Sequence, residues 1–168
     1  MAERLERVDN RDVPVKPVLR HTAHAKGLRH RAVHILVFNK KGEIFVQRRS
    51  RAKDVYPRYY EASLSGHVRA GEEYDKAALR ELDEELGLEL SAKDLELLGD
   101  FELETKKEKE RVALFVVKGV REVRFLEKGE VEEGAFMPLE QLHAEIKKGE
   151  KQFTLGTLKA LNFFSSRQ

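Results

Sequence analysis

Cysteine and tryptophan are both absent from the 168 residues. Without a thiol there is no disulfide, no cysteine nucleophile and no thiolate metal site. Long apolar runs are missing too, and the first residues lack the basic-then-apolar pattern of a signal segment, so the expectation is a soluble, cytoplasmic protein with no membrane partner. No excess of one charge exists: 32 basic residues against 30 acidic ones leave a formal +2, which argues against stable nucleic-acid binding. There is no Ser/Gly/Pro linker, internal repeat or low-complexity tract to divide the chain, and residues 1–168 are read as one well-cored domain.

What is present is acid crowded onto one helix. Residues 66–88 are GHVRAGEEYDKAALRELDEELGL. An α-helix turns about 100° per residue, so Glu81, Glu84 and Glu85 share a sector of about 100° while Asp83 points nearly the opposite way. These carboxylates repel one another, and the carbonyl end of the helix, closed by Gly87, adds partial negative charge. A hard divalent cation such as Mg²⁺ or Mn²⁺ reverses the sign of each of these interactions. Leu79, Leu82 and Leu86 form an apolar stripe that holds the helix to a core. Residues 66–72, with glycines at 66 and 71, read as a compact loop feeding the helix.

Elsewhere, residues 4–8 and 13–19 flank Asp9-Asn10-Arg11-Asp12 as an N-terminal β-hairpin, with Pro14 and Pro17 marking a sheet edge that would pair two copies as a homodimer. Residues 32–38 and 43–47 form a second hairpin, 94–104 and 111–118 further strands, and 112–117 a buried central run. Residues 139–147 and 154–165 read as helices, the last covering the sheet.

Segment 66–88 fits the Nudix box at every specified position: Gly66, five residues, Glu72, seven residues, Arg80-Glu81, apolar Leu82, one residue, Glu84-Glu85, one residue, Gly87 and apolar Leu88. The chain therefore resembles the Nudix hydrolases. That resemblance implies an α/β (α+β) fold: an α/β/α sandwich with a mixed sheet and a catalytic loop-helix-loop, to which the hairpin of about residues 1–20 is added. It also implies metal-dependent hydrolysis, by water attack at phosphorus, of a nucleoside diphosphate or a small molecule linked to one, with Mg²⁺ or Mn²⁺ as cofactor. Carried over by position, Glu81, Glu84 and Glu85 are metal ligands, the Gly66 carbonyl faces a metal, and Arg80 pairs with Glu72 to fix loop to helix. The catalytic base falls to Glu84, to Glu85 or to a glutamate outside the box. Outside candidates are Glu108 and Glu110, before the 112–117 run, and Glu130, Glu132 and Glu133; for each the competing account is an exposed surface residue.

Ahead of the box the chain is similar to the isopentenyl diphosphate isomerase branch of the same superfamily. The similarity runs through Gly27-Leu28-Arg29-His30-Arg31-Ala32, Phe38-Asn39, Gln47-Arg48-Arg49-Ser50, Lys53, Tyr56-Pro57 and Ser65-Gly66-His67. In that branch a cysteine before the Gly-His pair moves protons on carbon; here it is Ser65, whose hydroxyl is far too weak an acid. The isomerase also generally lacks the full set of box carboxylates, so the resemblance implies a hydrolase on an isomerase-like scaffold. The alternatives are an isopentenyl or prenyl diphosphate isomerase-type enzyme and a catalytically inactive Nudix-fold binding protein. Arg49 and Lys53 match positions that hold diphosphate, with a basic solvated loop as the competing account, and Arg48 and Arg51 add charge to the same segment. His24, His30 and His67 fall near the isomerase's metal positions, His21 is an equally defensible partner for the first, and each histidine has a structural alternative. Tyr56, Tyr59 and Tyr60 stack on a base, line a pocket or pack in the core.

Overall fold

A computed structural model describes residues 2–124 and 131–168; Glu130 lies outside them. In chain order the elements are β1 (Arg4–Leu5), β2 (Val18–Leu19), α1 (Arg20–Lys26), β3 (His30–Asn39), β4 (Ile44–Arg49), β5 (Tyr60–Ala62), β6 (Leu64–His67), α2 (Tyr74–Leu86), a 3₁₀ turn (Ala92–Asp94), β7 (Glu96–Glu104), β8 (Lys109–Val120), β9 (Val131–Met137), α3 (Leu139–Lys148) and α4 (Leu155–Ser165). The two most apolar runs sit in the middle of a mixed sheet of order β5-β4-β3-β8-β7. There β3 and β8 are parallel, and every other strand pair is antiparallel. Additional pairings join β6 to β3 and β9 to β4.

Successive strand residues face opposite sides, so a strand that is apolar throughout must be covered twice. On one side Val33, Ile35, Val37 and Phe115 pack with Leu82 and Leu86 of α2. On the other, Leu36, Phe38, Leu114 and Val116 pack with Leu161 and Phe164 of α4. These two layers around the sheet give the expected α/β/α arrangement. Leu82 and Leu86 are each fully buried, and burying a leucine side chain contributes about 1.5–3 kcal/mol. The stripe that anchors α2 differs in one member: Ala77 and Ala78 are fully buried, whereas Leu79 is only partly covered.

The N-terminal hairpin forms a separate two-stranded sheet whose ladder pairs Arg4 with Leu19 and Leu5 with Val18, with an isolated Val8–Pro14 bridge nearer the turn. Prolines at 14 and 17 remove ladder donors, and Asp9 turns the chain by accepting from the Arg11 and Val13 N–H groups at 2.8 and 3.0 Å. Backbone bonds from Glu6 N to Val68 O and from Arg31 N to Glu6 O, both 2.9 Å, dock the hairpin on the large sheet.

Three expectations change. Residues 20–26 form helix α1, which sequence pattern concealed because only Ala23 is buried and no side chain caps its start. Gly66 and His67, expected in a loop, belong to β6, so the loop starts at Val68. The strand expected from 94 starts at Glu96, after a 3₁₀ turn closed by a Ser91/Asp94 capping box.

Candidate active site

Register places the site. His30, Ala32 and His34 alternate onto one face of β3, opposite Glu110, Val112 and Leu114 of β8, while His67 and Ser65 of β6 pair with Ala32 and His34 from the other side. A cavity of about 770 Å³ opens over this floor. Glu81, Glu84 and Glu85 of α2 form one wall, with Gly66 beside them, and Arg49 and Lys53 line it as well.

Arg80 stands behind the carboxylates, not in the cavity. Its Nε and Nη2 donate to the two oxygens of Glu72 at 2.9 and 3.0 Å, and Nη2 also reaches the His67 carbonyl at 2.9 Å. Nη1 donates to Glu81 at 2.6 Å and to Glu84 at 3.1 Å. One guanidinium thus clamps the loop to the helix and partly neutralises two box carboxylates, which holds the Arg80 proton more firmly than usual against the opposing effect of burial. Burial works to raise the Glu72 carboxyl, but the Arg80 bonds and the Arg69 N–H outweigh it and hold Glu72 below the usual carboxylate range.

The three box carboxylates do not share one environment. Glu81 is raised by burial despite Arg80. Glu85 turns the other way, accepting from Gln47 Nε2 at 3.4 Å, and burial followed by the charges of Glu61 and Glu81 pushes it up to about 8. Lys53 approaches Glu85 electrostatically, and burial lowers its ammonium. Gly66 is required for space: its backbone is ordinary, but a Cβ there would come within 2.5 Å of Glu81 Cγ and nearer still to the carboxylate.

Sequence reasoning missed Glu61. It is 3% exposed in β5, and it accepts from Arg49 Nη1 at 3.1 Å and from the Ser65 hydroxyl. No motif marks it; its position follows from the register that sets it opposite Gln47. Glu108 also lines the cavity, where burial and then the Glu110 charge push it up to about 7.

At the far end of the floor His24, His30, His67 and Glu110 converge, with one ligand atom from each lying within 4.8 Å of all the others. The His30 Nδ1–H donates to the Leu28 carbonyl at 2.8 Å, which turns Nε2 toward the cluster. Nε2 of His67 is 3.3 Å from His24 Nε2 and 3.3 Å from Glu110, and His30 Nε2 is 3.5 Å from Glu110. Ligands held about 2.1 Å from a tetrahedral ion stand about 3.4 Å apart, and these three contacts lie close to that spacing. Burial lowers His24 to about 4, keeping its imidazole neutral. His21 is exposed and outside this group, so His24 is the partner.

Four buried polar atoms lack a hydrogen-bond partner among the described residues: His30 Nε2, Gln47 Oε1, Arg49 Nε and Glu108 Oε2. Arg49 and Glu108 line the cavity, His30 belongs to the cluster and Gln47 bonds Glu85; the Arg49 nitrogen is a donor for an anion and the other three are acceptors. Other expected residues lie elsewhere. Glu132 and Glu133 face Arg48 at 3.7 and 3.8 Å, and Glu132 also meets Arg51 at 3.7 Å, so these four form surface ion pairs instead of site contacts. Tyr56 lines the cavity with its ring 5.0 Å from that of Tyr59, whereas Tyr60 packs on Phe153.

A mixed sheet between two helical layers, with an acidic loop-helix flanking a cavity on the sheet, defines the Nudix class of proteins. The NUDIX domain family profile matches residues 28–155, and the chain belongs to that family. An uncharacterized Nudix hydrolase of Pseudomonas aeruginosa is 45% identical over 87 residues, covering 52% of each chain. An isopentenyl-diphosphate Delta-isomerase 2 of Photorhabdus laumondii is 38% identical over 93 residues, 55% of this chain and 52% of that protein. The chain thus spans about half the length of the curated relatives it matches. Among solved structures, a Deinococcus radiodurans protein superposes with a TM-score of 0.78 at 26% identity, covering 96% of this chain and 99% of that one. The NUDIX domain of Shewanella oneidensis NrtR, crystallised with ADP ribose, shares the fold at a TM-score of 0.63 and 10% identity over 81% of this chain and 86% of that one.

Proposed function

We propose that the protein is a metal-dependent hydrolase that cleaves the diphosphate linkage of a nucleoside diphosphate or of a small molecule joined to one. The carrying observation is a single cavity in which Glu81, Glu84 and Glu85 stand with Arg49 and Lys53. Carboxylates suit a hard divalent cation and the guanidinium suits phosphate, so the residue set fits both partners of a metal-diphosphate complex. Glu81, Glu84, Glu85 and the Gly66 carbonyl would hold Mg²⁺ or Mn²⁺, which when bound supplies positive charge to the phosphate oxygens. Arg49 and Lys53 hold the phosphates, and Arg80 keeps Glu81 and Glu84 in place. Glu108, with a buried oxygen free of hydrogen bonds among the described residues, is the carboxylate we assign to accept the proton of the attacking water.

Replacing Glu84 and Glu85 by Gln tests this reading with phosphate release from a panel of nucleoside diphosphates and nucleotide sugars under Mg²⁺ or Mn²⁺. A loss of at least about 100-fold is expected, in the range seen when charge stabilisation is removed from an active site; unchanged turnover refutes the assignment. Isomerisation is disfavoured because Ser65 replaces a thiol and its hydroxyl is bound to Glu61.

The convergence of His24, His30, His67 and Glu110 favours a second reading alongside the first: a transition-metal station on the same floor. Both Glu110 contacts to histidine sit where an ion would replace them.

A further inference from the structure

Arg49 is oriented without any ligand. Its Nη1 donates to Glu61 at 3.1 Å and its Nη2 to the Val55 carbonyl at 3.1 Å, whereas its buried Nε bonds to nothing among the described residues. A guanidinium is a rigid planar fork, so fixing two nitrogens sets the direction of the remaining donors. Glu61 is equally constrained: it is 3% exposed, it pairs with Gln47 in the ladder, and its second oxygen accepts from Ser65, the residue before Gly66. Gln47 in turn donates to Glu85. The Glu61 carboxylate therefore connects the phosphate-binding cation to the strand that opens the box, and its backbone neighbour Gln47 reaches a box glutamate.

We propose that Glu61 is a positioning residue for the diphosphate: it aims Arg49 at the phosphates and, through Ser65, ties that grip to β6. The inference rests on the diphosphate reading above. It accounts for a buried negative charge in a cavity meant for an anion, since Glu61 alone would repel phosphate.

The sign of one measurement separates positioning from mere proximity. Methylenediphosphonate, a diphosphate that resists hydrolysis, is titrated calorimetrically with Mg²⁺ into the full chain, Glu61→Gln, Arg49→Lys and the double variant. Glu61→Gln is expected to weaken binding about tenfold, and the double variant to bind no more weakly than the weaker single one, because coupled groups are non-additive. A bystander carboxylate gives the opposite result, since removing negative charge tightens an anion. Unchanged or tighter binding by Glu61→Gln, additive losses, or lost uptake of Mg²⁺ titrated alone each overturn the proposal, the last by making Glu61 a metal ligand. Should Glu61→Gln not fold, Glu61→Asp carries the test: charge is kept and reach shortened, so positioning predicts weaker binding, and unchanged binding marks a bystander and overturns the proposal. If the unaltered protein takes up no methylenediphosphonate, the diphosphate reading itself fails and this inference with it; if it binds and Glu61→Gln binds equally, only this inference fails.

Discussion

Gly66→Ala adds one methyl group at the most crowded point of the site. Its Cβ would lie within 2.5 Å of Glu81 Cγ, against about 3.5–4.0 Å for relaxed carbon contact, so atoms must move by about 1 Å or more. Glu81 Cγ is too close to its own backbone for a terminal rotation to help, so either β6 moves or the whole side chain leaves its rotamer and its 2.6 Å bond to Arg80. Overpacking costs about 1–3 kcal/mol and loss of a charged hydrogen bond about 1.5–3 kcal/mol. The combined loss, where both occur, is roughly 2.5–6 kcal/mol, or roughly 5–24 °C in melting temperature for a chain of this size. With Glu81 in its proposed role, a shift of about 1 Å would also cost about 100-fold in rate. Gly71→Ala is the control: with φ at +79° and nothing within 4 Å, it meets backbone strain alone, about 1–2 kcal/mol, and keeps Glu81 in place. Thermal melts and phosphate release from the nucleotide panel read both effects. If Gly66→Ala melts and turns over like the parent, or behaves like Gly71→Ala, the steric account of this glycine is wrong.

The raised Glu85 carboxyl means that the folded, metal-free protein keeps a proton which the unfolded chain releases near the ordinary value of 4.5. Its contribution to stability is therefore greatest at low pH and declines as pH rises from about 4.5 to about 8; Glu85→Gln should flatten that decline in melts with chelator present, and a steeper one would contradict the environment described. Leu82→Ala empties a fully buried position under the box helix and should cost about 2–5 kcal/mol in urea unfolding. Co²⁺ should give a visible absorption band from the histidine cluster, lost in His30→Gln and retained in Glu84→Gln; retention in His30→Gln with loss in Glu84→Gln would place the ion at the box instead.

The parts of this molecule that were legible share a dense local signal. Residues 66–88 combine an acidic sector, an apolar stripe and a glycine stop, and residues 32–38 and 112–117 are apolar runs too continuous for anything but a covered strand. What escaped is defined by partners distant in sequence. The three residues of β5 form a strand because β4 lies beside them, and Glu61 has a role only once that pairing sets it near Arg49. The choice between His21 and His24 was equally closed to spacing arguments, since it depends on the docking of a seven-residue helix with one buried side chain. Glu132 and Glu133 look like site acids in sequence, yet β9 lies antiparallel to β4 with Glu133 opposite Arg48, and cross-strand ion pairing explains them.

The formal charge of +2 conceals a sharp segregation. Arg80 answers Glu72, Glu81 and Glu84, and Arg49 answers Glu61. Glu85 is left with a partial hydrogen bond from Gln47 and a lysine whose charge burial disfavours. Glu108 has one oxygen with no hydrogen bond among the described residues. Burial first, and then the neighbouring carboxylates, raise Glu85 to about 8 and Glu108 to about 7. On the function proposed above, a divalent cation at the box would offset these carboxylates, and a diphosphate arriving with it would meet an arginine oriented by Glu61. The proposed metal-diphosphate pair would thus complete the charge balance of the site's acids and bases.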